Sequence, residues 1–125
     1  MRRVVRRARL AQPPPRVFAA CLDLLRTPDP ARGVVSRRVV PDPPDVDAVV
    51  HTTVRDRRGQ RELQAIVVEL HASEVLSTVT EGAPTVRTEL RLAPDGAGTL
   101  VTLTSDAEGA LSPFGRAGAA LDMLL

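Results

Sequence analysis

Two histidines, one cysteine, a carboxylate in an apolar run and a few strand hydroxyls are the side chains with chemistry to offer in this 125-residue chain. Imidazole titrates near neutrality and can act as a general acid or base. His51 sits inside the run "DAVVHTTVR" and is one candidate for such work. His71 falls in the short break "HAS" and reads as a solvated turn residue. Glu69 lies in "IVVEL", and burial there would raise its pKa into a range suited to proton transfer. Its alternation with Ile66, Val68 and Leu70 sends it outward instead. Cys21 is on the apolar face of a helical run, where a thiol behaves as a small hydrophobe. No Cys/His cluster has metal-ligand spacing, so no metal is expected. No nucleophile elbow, P-loop or dinucleotide fingerprint is present, so no cofactor is expected.

The hydroxyls offer binding rather than catalysis. Thr52, Ser77 and Thr88 alternate with apolar neighbours at positions that could face a cavity. A few hydroxyls in an aliphatic lining would orient a ligand. The plainer reading is that Thr is a good strand former.

These side chains need elements to position them. Residues 3–10 read as a strand, stopped by "AQPPPR", whose three prolines cannot join a ladder. "RVFAACLDLLR" follows with Val17, Phe18, Cys21, Leu22 and Leu25 at helical spacing, and "TPDPARG" ends it. From Gly33 the period shifts toward two. "VVSRRVV", "DAVVHTTVR", "ELQAIVVEL", "EVLSTVTE", "TVRTELRLA" and "TLVTLTS" read as six strands with short connections, hence an antiparallel sheet. "SPFGRAGAALDMLL" closes the chain as a helix from 113 to 125, with Ser112 as N-cap and an apolar stripe through Phe114, Ala117, Leu121 and Leu124 or Leu125. One domain of residues 1–125 is the expected organisation.

The inward faces follow from alternation. Val86, Thr88, Leu90 and Leu92 oppose Arg87, Glu89 and Arg91. A four-residue loop at Pro94–Ala97 would set Val101 opposite Leu90 and Leu103 opposite Thr88, whereas a five-residue loop would shift the pairing by one and put Leu100 and Thr102 inward instead. In the middle strands Ile66, Val68, Leu70, Val75 and Val79 are taken as inward. That leaves Leu63, Val67 and Leu76 partly exposed or against a partner.

Composition bounds the partners. All 17 basic residues are Arg, and Lys, Asn, Trp and Tyr are absent, as a GC-rich gene would produce. The start "MRRVVRRARL" is Arg-rich, but the net charge is only +2 and no aromatic residues are interleaved to stack on bases. Nucleic-acid binding is not expected. No apolar run approaches the ~20 residues of a membrane span, so stable membrane insertion is not expected either. A lone cysteine fits a reducing cytoplasm.

The order of elements resembles the START-like superfamily, also called SRPBCC or birch-pollen-allergen-like, with its polyketide cyclase/dehydrase group. The resemblance rests on "RARLAQPPPRVFAACLDLL", on "EVLSTVTEG", and on "TELRLAPDGAGTLVTLTSD". It implies an α+β helix-grip fold: a curved seven-stranded antiparallel sheet around a C-terminal helix, with a short helical segment after the first strand. It also implies a cavity between sheet and C-terminal helix for an apolar small molecule, such as a lipid, polyketide or isoprenoid. On that reading Thr52, Ile66, Val68, Ser77, Val79, Thr88, Leu90, Val101, Leu103, Phe114 and Leu121 would line it. The chain departs from the family in lacking cavity aromatics and in its short final helix. That helix reads as truncated, or as completed by a second copy in a homodimer. Two alternatives share the fold: a polyketide cyclase or dehydratase using His51 and Glu69, and a protein-interaction module.

Overall fold

The computed structural model describes residues 3–80 and 85–106. β1 (Val4–Leu10) leads through the prolines into α1 (Pro14–Leu24) and a single 3-10 turn (Pro30–Arg32). Six strands follow: β2 (Val34–Val40), β3 (Val49–Asp56), β4 (Gly59–His71), β5 (Val75–Thr80), β6 (Arg87–Asp95) and β7 (Gly98–Ser105). They form one sheet in the order β1-β7-β6-β5-β4-β3-β2, and every neighbouring pair runs antiparallel. The expected helix at 113–125, with Phe114 and Leu121, lies outside the described residues.

Consecutive strands pair because each hairpin is short, which keeps the entropy of closing the loop small. The exception is β1. It is separated from β2 by α1 and returns to pair with β7 at the far edge. The helical segment therefore crosses beneath the sheet. Its buried face, Val17, Phe18, Cys21 and Leu24, packs into one cluster with Leu10, Val39, Val50, Val67, Leu76, Leu90, Leu92, Val101 and Leu103. The sheet face that meets α1 is the inner face.

Two glycines permit the tight geometry at the β6–β7 end. Gly96 takes a left-handed conformation at φ 59° in the turn, where an L side chain is disfavoured. Gly98 passes so close to β1 that a Cβ there would collide with the Leu10 carbonyl oxygen. The hairpin pairs Asp95 with Gly98, leaving a two-residue loop. Val101 therefore faces Leu92 and Leu103 faces Leu90, two residues away from the expected register. A shift of two preserves the facing, so Val101 and Leu103 still point inward.

The middle strands correct the sequence reading. A bulge between Val67 and Glu69 places Val68 as the extra residue of β4. Alternation breaks there, as an inserted residue requires. Glu69 points outward and Leu70 inward, as expected. Upstream of the bulge the faces invert: Val67 and Ala65 are inward, Ile66 is outward, and Val68 is 38% exposed. On β5 it is Leu76, Thr78 and Thr80 that share a face with Leu90 and Thr88. Val75, Ser77 and Val79 are therefore on the outer face, and Leu76 and Val67 belong to the core at 0% exposure.

Candidate functional site

The inner face is built of residue rows that run across the strands, because directly paired residues in an antiparallel ladder project to the same side. One row is leucine: Leu103 on β7, Leu90 on β6, Leu76 on β5 and Leu70 on β4. The next is mostly hydroxyl: Ser105, Thr88 and Thr78, ending on Val67. Beyond it lie Thr80, Ala65, Val50 and Val39. The last is Leu63, Thr52 and Arg37. A shell of branched aliphatic side chains thus encloses a short band of hydroxyls.

The hydroxyls differ in their partners. Thr80 Oγ1 accepts a hydrogen bond from the Val86 amide at 2.8 Å. Thr99 Oγ1 donates to the Gln12 carbonyl at 2.7 Å and ties β7 to the turn before α1. Among the described residues, Thr78 Oγ1 and Thr88 Oγ1 are buried without a hydrogen-bond partner. They are paired across β5 and β6, and their residues are 0% and 2% exposed. A buried hydroxyl left unpaired costs about 1–3 kcal/mol. Two of them side by side mark a polar spot inside an apolar face.

Of the residues expected to line a cavity, Thr52, Thr88, Leu90, Val101 and Leu103 lie on the inner face. Ile66, Val68, Ser77 and Val79 do not. Ser77 is 0% exposed all the same. It sits on the outer face between Glu69 and Glu89, to which it is paired. Arg91 reaches over this region, forming ion pairs with Glu89 at 3.0 Å and Glu69 at 4.0 Å. Those contacts, the Glu89 hydrogen bond foremost, raise the Arg91 pKa. Val79 is opposite Arg87, so the charge alternation of β6 marks the outer set of β5 as well.

The two candidate acid–base residues also lie outside. His51 is paired with Gln64 and Arg38 on the outer face. Its Nδ1 lies 2.6 Å from Glu62 Oε1, and Arg38 approaches the same carboxylate at 3.8 Å. Glu69 takes part in the Arg91 contact. Cys21 is fully buried in the core cluster, and burial pushes its thiol up to about 12. Two surface depressions are defined mainly by outer-face residues. One, of about 490 Å³, is lined by Val75, Arg91, Leu100 and Thr102 among others; one of about 390 Å³ is lined by Arg3, Arg87, Glu89, Thr104 and Asp106. No helix among the described residues is long and apolar enough to cross a membrane.

Sequence reasoning missed Thr78 and Arg37. Thr78 was obscured because "EVLSTVTE" has apolar or hydroxyl residues on both faces. Arg37 is one of 17 arginines and nothing local sets it apart, yet it pairs with Thr52 and points inward. The signal available was the spacing: Arg37 stands two residues from Val39, which lies on the same face.

No protein-family model matches the chain, and no curated protein matches it. Solved structures do. CalU16 from Micromonospora echinospora is 22% identical, with 98% of this chain and 71% of that one covered at a TM-score of 0.65. An AHSA1-like protein from Aeromonas hydrophila is 19% identical, covering 98% and 86% at 0.64. Ara h 8.0201 is 12% identical, covering 86% and 80% at 0.66. Likeness at these identities establishes architecture, and on that ground the chain has the START-like, birch-pollen-allergen-like fold.

Proposed function

We propose that the chain binds an apolar small molecule, of the lipid, polyketide or isoprenoid kind, against the inner face of its sheet. The observation that carries this reading is the Thr78–Thr88 pair: two buried hydroxyls without partners among the described residues, set among Leu76, Leu90, Leu103 and Val67. Such a face gains about 25 cal/mol for each Å² of apolar ligand surface it removes from water. The hydroxyls would bond an oxygen of the ligand and fix its orientation. The resemblance in fold supports the same reading. His51 and Glu69 point away from that face, so neither can pass a proton to a ligand held there. A reducing, cytoplasmic setting accords with the single buried thiol.

The test is native mass spectrometry of the purified protein, together with titration by Nile red, a neutral dye that brightens in apolar surroundings. A co-purified apolar molecule, or saturable dye binding displaced by long-chain lipids, is expected. Clean apoprotein mass with no saturable dye binding would sink the proposal.

A further inference from the structure

Arg37 is the one inner-face cation that is largely buried among the described residues. Its NH1 donates to the Leu24 carbonyl at 3.0 Å and to the Thr27 carbonyl at 3.3 Å, so it caps the end of α1. A cation suits that end, where helix carbonyls lack partners. The cap accounts for NH1 only. Nε is buried and makes no hydrogen bond to any described residue. No carboxylate lies within ion-pair distance among the described residues; Asp29 acts on the guanidinium only as a nearby charge. Burial lowers the Arg37 pKa and Asp29 opposes the shift, yet guanidinium stays charged at neutral pH. Directly beside it on β3 is Thr52, 7% exposed and also inward.

The leucine row and the Arg37 row are three row steps apart along the strands. Each step is two residues, so the separation is about 20 Å. The inner face is therefore largely apolar at one end, where the exposed Arg6 of edge strand β1 is the charged residue beside Leu103; it carries hydroxyls partway along, and it ends in a largely buried cation with an adjacent hydroxyl. A neutral hydrocarbon would leave that cation without an ion-pair partner, with only the more distant Asp29 charge nearby. An anion would not, and guanidinium geometry matches a carboxylate well.

We infer that the Arg37–Thr52 corner holds the carboxylate of an amphiphilic ligand, a long-chain monocarboxylic acid, whose apolar body lies along the inner face. This rests on the proposed binding of an apolar molecule and adds the chemistry of its polar end.

The experiment compares hexadecanoate, hexadecan-1-ol and methyl hexadecanoate as displacers of Nile red from the full chain. The acid should displace the dye at about tenfold lower concentration than the alcohol or ester, as a charge-assisted hydrogen bond predicts. In Arg37→Gln the acid should fall to the level of the alcohol, with the alcohol unchanged. Arg37→Lys should keep part of the preference. Because Arg37 also caps α1, the unmodified protein decides the matter if the glutamine variant does not fold. Equal displacement by acid and alcohol in the unmodified protein would overturn the carboxylate assignment and leave apolar binding standing. Displacement by none of the three would overturn both.

Discussion

Thr78 on β5 and Thr88 on β6 stand directly opposite each other, and both hydroxyls are buried without a hydrogen-bond partner among the described residues. Each is an energetic liability to the fold unless something bonds it. Replacing either by Val should therefore raise stability by about 1 kcal/mol, since the orphan hydroxyl disappears and its shape is kept. Urea unfolding measures this. The same variants should weaken binding of oxygenated ligands more than of pure hydrocarbons. Destabilisation by Thr78→Val would show that its hydroxyl is already satisfied.

The bulge in β4 gives a test between adjacent valines. Val67 is 0% exposed and Val68 is 38% exposed. Val67→Ala should cost about 2 kcal/mol, from lost transfer energy and a residual cavity. Val68→Ala should cost less than about 0.5 kcal/mol. Leu76→Ala, in the leucine row, should cost about 3 kcal/mol. Denaturant midpoints for the three variants settle the facing of the middle strands.

Gly98 is held by close approach. A Cβ there meets the Leu10 carbonyl oxygen, and backbone cannot swing aside as a side-chain tip can. Gly98→Ala should lower stability by about 2–3 kcal/mol and loosen the β1–β7 edge, as overpacking does. Hydrogen exchange should then rise first at the β1 amides that bond to β7.

Cys21 should be inert in the folded protein. Its thiol is pushed from the ordinary 9.0 up to about 12 by burial. The thiolate is the reactive form, so a disulfide reagent at pH 8 should label it only as fast as the chain opens. The sign of the pH effect follows from linkage. Above about pH 9 the unfolded thiol loses its proton while the folded one keeps it, so stability falls as pH rises from 9 to about 12. Cys21→Ala should remove that contribution to the alkaline slope.

His51→Ala and Glu69→Ala should leave ligand affinity unchanged within about twofold, since both residues are on the outer face. A larger loss in either would place the binding surface on the other side of the sheet.

The sequence determined α1, the seven strands and the order in which they come, but not the 3-10 turn at Pro30–Arg32. Prolines stop β1, helical spacing of Val17, Phe18 and Cys21 makes α1, and charges alternating with Val86, Thr88, Leu90 and Leu92 set the inner face of β6. These are local patterns, and local geometry is enough to read them. The facing of β4 and β5 was decided only in the tertiary structure. One extra residue at Val68 inverts the upstream half of β4, and no charge in "VLSTVT" marks a side. The pairing of β5 with β6 supplies the missing reference, and it puts Thr78 beside Thr88. Arg37 makes the same point from the far edge. Its sequence neighbours, including Arg38, give it the look of a water-facing residue. Only the tertiary approach of the end of α1 and the residues just after it turns it into a buried cation, because the Leu24 and Thr27 carbonyls hold it there.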